Sequence, residues 1–233
     1  VSRALVLDDG RRLSLGPDVA ELISCGVLVA APVAVGRSPT LDAELDAIAR
    51  RLRDAHGARP PGAIAALQEA RRLYRACGVD PTRTRPSSEA LLRRVLKGRD
   101  LHRINSAVDA CNLASLSFLL PIGLYDLDRV SGDVTLRLGA AGEEYPGIRK
   151  GPVHLAGRPG LFDAGGPFGS PTSDSARTAV REGTRRLLAV IMATAAYPAR
   201  ALEADLDLLS RLLAEHDVGP TVLRGRLGGK ESP

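Results

Sequence analysis

The sequence predicts a globular fold that mixes helices and strands, on three observations. Hydrophobic residues make up 44% and charged residues 25% of the 233 residues, which is the balance of a folded chain and not of a disordered one. Two uninterrupted apolar runs, Val27–Val35 and Leu187–Thr194, read as buried strands, with a helix as the alternative for the second. Leucines also recur at helical spacing in two places, Leu41 to Leu52 and Leu202 to Leu212.

The elements follow in order. Ala4–Asp8 is a short strand that turns at Asp9-Gly10. After the Val27–Val35 strand, Leu41, Leu45, Ile48 and Leu52 line one face of a helix that Gly57 stops. Ile64, Leu67, Leu73 and Tyr74 mark a second helix ending near Gly78. Two prolines and several hydroxyls between Asp80 and Ser87 predict an extended linker. Ser87 is placed to cap a helix over Glu89–Lys97, with Glu89 at the positive end of its dipole and Gly98 as the stop. A further helix covers Arg103–Leu116. Strand character begins after Pro121, and Val134–Leu138 alternates with period two. The stretch Gly139–Gly169 is turn-rich, with short strands at best. The final leucine-faced helix leads to a tail that frays after Gly228.

Composition excludes several classes. Cys25, Cys77 and Cys111 form no disulfide framework and no zinc spacing, and four scattered histidines make no metal site. The longest uncharged stretch, Leu22–Gly36, has 15 residues, too few to span a bilayer. No secretory signal is evident at the N-terminus. No metal, cofactor or membrane partner is therefore expected, and the expected compartment is the reducing cytoplasm. With no Trp and 3% aromatics, the core must come from Leu, Val, Ile and Ala. The formal charge is +5 and the pI is near 9.5, compatible with a polyanionic partner without demonstrating one.

Three constellations carry possible chemistry. Arg83, Arg85, Arg93, Arg94, Lys97, Arg99 and Arg103 put seven cations in 21 positions against only Glu89 and Asp100. Phosphates need such charge, although a solvated helix face gives the same pattern, and no stacking aromatics accompany it. Asn105, Asp109 and Asn112 share one helical face at i, i+4 and i+7, where they either line a polar pocket or pin neighbouring backbone. The run Gly165-Gly166-Pro167-Phe168-Gly169-Ser170-Pro171-Thr172-Ser173-Asp174-Ser175 lets backbone amides approach a ligand, yet it is neither a Walker loop nor a dinucleotide fingerprint. No Gly-x-Ser-x-Gly elbow is present. Cys111 reads as a core thiol, and neither His102 nor His154 has a carboxylate partner in the pattern.

In their order, Ile104-Asn105, Asp109, Asn112, Pro121 and Tyr125-Asp126-Leu127-Asp128-Arg129-Val130-Ser131-Gly132 resemble the B3/B4 domain. That domain is the tRNA-binding and editing module of the phenylalanyl-tRNA synthetase beta subunit. Leu136-Arg137, Gly142-Glu143 and Gly165-Gly166-x-Phe168-Gly169 follow as expected. Arg85–Leu91 and Arg94–Gly98 resemble the freestanding form of the domain.

The resemblance implies an α+β, three-layer sheet/sheet/helix sandwich with additional peripheral helices. It implies one such domain over residues 1–233: an N-terminal part at 1–80, the motif-bearing core at 81–198, a C-terminal helix at 199–228 and a frayed tail at 229–233. It further implies a partner, the aminoacylated 3′ end of a tRNA, held by Arg83 to Arg103. The implied substrate site is Asn105, Asp109, Asn112, Gly165, Gly166, Phe168, Gly169 and Ser170. The activity implied is hydrolysis in trans of a mischarged ester, with Asn112, Thr172 and Ser173 orienting water and the loop amides holding the oxyanion. A non-catalytic RNA- or amino-acid-binding module and an interaction scaffold are the alternatives. Without the synthetase's class-defining motifs, ligation of tRNA is not expected. Two positions depart from the family pattern. Gly123 stands where a histidine is typical, and Pro171 where a glutamate reads the hydroxyl of the wrong amino acid. Losing a donor built for a hydroxyl removes that discrimination.

Overall fold

The computed structural model of the chain describes residues 2–57, 59–148 and 151–229. Its centre is set by the two apolar runs. Ile23–Ala30 (β3) and Leu187–Thr194 (β10) pair antiparallel and are buried at every residue, as only a middle layer can be. One face of this pair, including Leu28, Ala30, Ala189 and Ile191, meets helices. The other, including Val27, Val29, Leu188 and Val190, meets a second sheet. The absence of alternation in both runs is thus the signature of two covered faces.

Chain order gives Ala4–Val6 (β1), Arg12–Leu15 (β2), β3, and the helices Pro39–His56 (α1), Gln68–Ala76 (α2), Ser87–Leu96 (α3) and Ser106–Phe118 (α4). There follow Ile122–Asp126 (β4), Val134–Leu138 (β5), Glu144–Pro146 (β6), Pro152–His154 (β7), Pro159–Asp163 (β8), Gly166–Gly169 (β9), β10, Ala199–Glu215 (α5) and Thr221–Gly228 (β11). The middle sheet runs β11-β3-β10-β4, antiparallel throughout. The outer sheet runs β1-β2-β5-β8-β9, with β2 and β5 parallel. β6 and β7 form a separate hairpin. Helices α1, α4 and α5 cover the free face of the middle sheet. The fold is therefore α+β in three layers: helices, sheet, sheet.

Several expectations need correction. The first buried strand covers 23–30, not 27–35, because Pro32 lacks the N–H that a ladder requires. The Arg103–Leu116 helix starts at Ser106, where Asn105 caps it by accepting the Val108 N–H at 3.0 Å. Ser87 is the first helical residue of α3 and not its cap; its N–H instead donates to the Pro171 carbonyl at 2.9 Å. The region expected as a helix over 199–228 is a helix followed by an edge strand. α5 stops at Glu215, and the positive φ of Asp217 and Gly219 turns the chain back. β11 then pairs with β3, about 200 residues earlier, a partner that no local pattern could announce. Strand β2, which the sequence does not announce, is defined by its pairing with β1 and, across the sheet, with β5 about 120 residues later. Gly229 apart, the expected frayed tail lies outside the described residues.

Candidate functional site

The chain has only four Tyr and three Phe, yet Tyr125, Tyr145, Phe162 and Phe168 pack in the layers around β8 and β9, and Tyr74 reaches the loop after them. That loop, Ser170–Ser175, joins β9 to the strip of chain along the free edge of β4. The Tyr74 hydroxyl lies 2.6 Å from Thr172 Oγ1 and also donates to the Arg85 carbonyl at 3.4 Å. The Tyr145 hydroxyl contacts Ser170 Oγ at 2.9 Å and the Ser173 carbonyl. Ser170 Oγ in turn accepts from the Thr172 and Ser173 N–H groups at 3.3 and 3.2 Å. Gly165 N–H donates to Asp163 at 2.8 Å. The Gly165, Thr172 and Ser173 amides are therefore spent within the protein.

Tyr125 is the buried pivot. Its ring meets Phe168 edge-on at 5.0 Å. A side chain at either Gly123 or Gly169 would run into its ring and hydroxyl. The position where a histidine was expected is thus occupied in space by the Tyr125 hydroxyl. This hydroxyl is buried and closes no hydrogen bond of good geometry. It faces the carboxyl of Asp174, whose backbone bridges to Gly169. Burial pushes the Asp174 carboxyl up to about 7, against the facing Tyr125 hydroxyl and Leu124 N–H, which lower it. The same environment drives the Tyr125 phenol well upward, so it stays a neutral hydroxyl. Asp174 and Asn112 are both half-buried, and the Cys111 thiol beside Asn112 feels the Asp174 charge. Burial raises that thiol far above its ordinary range, as for a core residue.

The three polar residues of α4 separate. Asn105 is the cap of α4 and donates to the Val180 carbonyl at 3.4 Å. Asp109 accepts the Ile104 N–H with both oxygens at 3.1 Å, and burial raises its carboxyl. Both hold backbone. Asn112 makes no side-chain hydrogen bond among the described residues and is half-buried, one residue beyond Cys111, whose thiol is the α4 group that feels the Asp174 charge. Pro171 is buried, and the loop's carboxylate comes three residues later, at Asp174. In the aspartate-rich segment after Tyr125, Asp126 accepts from Thr184 Oγ1 at 2.8 Å and from the Asp128 N–H at 3.2 Å, a structural duty.

The basic residues also divide. Arg103 is bound to Asp42 and Asp46 at 2.9 and 2.5 Å. Arg93 pairs with Glu89 at 3.4 Å, and Arg94 donates to the Asp100 carbonyl. Arg83, Arg85, Lys97 and Arg99 are exposed and make no ion pair among the described residues. Arg83 and Arg85 flank Thr84, which lines a narrow crevice of about 20 Å³ with Tyr74, His154, Arg158, Ser170 and Thr172. His154 has a partner after all, Glu144 across the β6–β7 pair at 2.7 Å. Glu89 does not serve the helix dipole at the surface. It is buried against Arg71 at 2.9 Å.

Sequence reasoning missed Tyr74, Tyr125, Tyr145 and Asp174 as site residues. The crowding of a scarce residue type around one loop was the available signal for the tyrosines, and Asp174 sat inside the quoted glycine-rich run. Among the described residues, no group of three or more His, Cys, Asp or Glu could hold a metal ion, and no helix is long and apolar enough to cross a membrane.

A likeness to an N-terminal fragment of the phenylalanyl-tRNA synthetase beta-subunit from Pyrococcus horikoshii has a TM-score of 0.42 and 16% identity, covering 54% of this chain and 46% of that one. The chain thus spans under half the length of that fragment. No curated protein matches it. The family model of the B3/4 domain matches residues 69–214, which take in α2 through α5, the tyrosine-lined loop and the four unpaired cations. On that match, over more than half of its length, the chain belongs to the B3/4 domain family.

Proposed function

We propose that this B3/4-domain protein binds the aminoacylated 3′ end of a tRNA. The observation that carries the reading is the placement of the unpaired cations. Arg83 and Arg85 border the tyrosine-lined loop, and Lys97 and Arg99 continue the charge past α3. Phosphates would be gripped by these four, and the terminal aminoacyl group would lie toward Asn112, Ser173 and Asp174. The likeness to the synthetase fragment is not needed for this reading; family membership and charge placement support it.

A second reading, trans-editing hydrolysis of the ester, is favoured by one observation. A half-buried carboxyl held near 7 is suited to take and return a proton at neutral pH. Asp174 would then be the base for a water, with Asn112 and Ser173 orienting the ester. Thr172, bonded to Tyr74, would hold the loop in shape.

Filter binding of tRNA across a salt series tests the first reading. Replacing Arg83, Arg85, Lys97 and Arg99 together by Ala is expected to flatten the dependence of log affinity on log salt by about three, since each lost phosphate contact removes most of one counterion. An unchanged slope would refute the placement. Deacylation of a panel of mischarged tRNAs by wild type and Asp174→Asn tests the second. Ester loss abolished in the variant supports hydrolysis, and no ester loss on any species refutes it.

A further inference from the structure

We infer that Ser38, His216 and Glu44 form a nucleophilic site for small acyl esters, set in a cavity where three helix ends meet. The inference is independent of the tRNA reading, since none of these residues belongs to the tyrosine-lined loop or to the free cations.

The cavity has a volume of about 350 Å³. The N-terminus of α1 lines it with Ser38 and Thr40, the N-terminus of α4 with Ser106, and the C-terminus of α5 with His216. Backbone bonds fix the chain that carries Ser38. The Gly36 N–H donates to Ser106 Oγ at 3.1 Å, the Ser106 N–H donates to the Gly36 carbonyl at 2.8 Å, and the Ala34 N–H donates to the Val218 carbonyl at 2.8 Å. Ser38 and His216, 178 residues apart in the chain, are thereby held together.

The imidazole of His216 is only 6% exposed. Its Nδ1 lies 3.2 Å from Ser38 Oγ and 3.4 Å from Thr40 Oγ1. Its Nε2 is buried and makes no hydrogen bond of good geometry, with Glu44 Oε2 3.5 Å away. A buried ring nitrogen left in that state is costly for a histidine with a packing role alone. The Glu44 carboxylate favours the tautomer with its proton on Nε2, which leaves Nδ1 as an acceptor for the Ser38 hydroxyl. Ser38 Oγ also accepts the Leu41 N–H at 3.4 Å, so the start of α1 helps to hold negative charge on that oxygen as its proton leaves. Nucleophile, base and orienting carboxylate are then in sequence, at the longer distances common in an unliganded site. Pro39 has no N–H, and the Thr40 N–H makes no hydrogen bond among the described residues, so the Thr40 amide is a donor left for a carbonyl oxygen beside Ser38.

The lining selects the substrate. Arg37 and Asp217, the charged residues at the cavity besides His216, are of opposite sign, which favours a neutral molecule, and the volume suits a short acyl group. In the reaction the Ser38 hydroxyl proton passes to His216 Nδ1 as Oγ bonds to the ester carbon and the carbonyl electron pair moves onto oxygen. Collapse breaks the bond to the leaving alcohol, which takes the proton from Nδ1. Water then gives a proton to Nδ1 and adds to the acyl carbon. Breaking the acyl–Oγ bond releases the carboxylic acid and returns the proton to Ser38. The sum is ester plus water to acid plus alcohol.

The test uses the full chain with two probes. One is p-nitrophenyl acetate. The other is a fluorophosphonate, which bonds to an activated serine oxygen with loss of fluoride. Saturable release of p-nitrophenol is expected, with the fluorophosphonate mapped by mass spectrometry to Ser38. Asn caps a helix as well as Ser does but lacks the hydroxyl, so Ser38→Asn is expected to keep the circular dichroism spectrum, take no label and lose about tenfold or more in kcat/KM. Glu44 is a positioning residue, and Glu44→Gln is expected to lower kcat by about tenfold with KM unchanged. The inference is overturned if wild type takes no label at Ser38, an outcome that needs no variant to fold. A smaller loss in Ser38→Asn also overturns it. An unchanged kcat in Glu44→Gln overturns the relay through His216 even where Ser38 is labelled.

Discussion

Replacing Asp174 by Asn should change how stability depends on pH, and the sign follows from burial. The Asp174 carboxyl is raised from its ordinary 3.8 to about 7 in the fold. Between those values the unfolded chain has lost the proton and the folded chain has kept it. Stability is then fully present below the unfolded value and is lost as pH rises towards the folded one. About three pH units at roughly 1.4 kcal/mol each set a ceiling near 4 kcal/mol. Asp174 is only half-buried, and the Leu124 N–H and Tyr125 hydroxyl already compensate its charge in part, so a penalty of about 1–2 kcal/mol is expected. Asn keeps an oxygen for the Leu124 N–H and carries no charge. Urea unfolding followed by far-ultraviolet circular dichroism suits a chain without Trp. From about pH 5 to about pH 8, wild type should lose about 1–2 kcal/mol more than Asp174→Asn. Asp205, raised to about 6 mainly by burial, and Asp109, raised by burial, add slopes of the same sign to both proteins and cancel in the difference. Parallel curves, or a wild type that gains stability relative to the variant over that range, would refute the burial argument.

Other substitutions test other parts of the site. Glu89→Gln leaves the buried Arg71 guanidinium without its counter-charge and should cost about 3 kcal/mol in the same unfolding assay. Gly123→Ala forces the Tyr125 ring to shift and should destabilise by about 1–3 kcal/mol; a neutral result would mean that the ring is free to move. Arg103→Ala, whose cation is already bound to Asp42 and Asp46, should leave the salt slope of tRNA binding unchanged while costing about 1 kcal/mol or less in stability.

The division between legible and hidden follows the range of the interactions. Helix α1 was readable because its apolar stripe and its Gly57 stop are both local. The strand character of β10 was readable because continuous apolar sequence has few other uses. β11 and β2 were not, since a short or edge strand is defined by a partner elsewhere in the chain. The sequence marks Asn105, Asp109 and Asn112 as sharing one face of α4, but that Asn105 and Asp109 bind backbone was a tertiary matter, since their partners are set by how the chain packs around the start of the helix.

By itself, the sequence determined the mixture of helices and strands, the resemblance to the B3/B4 domain, and the concentration of cations between Arg83 and Arg103. These depend on residue type and spacing, which are written in the chain. Only the tertiary structure decided which cations are free, because ion pairing depends on acids such as Asp42 and Asp46 that lie far away in sequence. It also decided that Tyr125 fills the space beside Gly123 and that Asp174 lies under it. Burial and orphaned hydrogen bonds belong to packing between β4, β9 and α4, and no single segment of the chain contains that information.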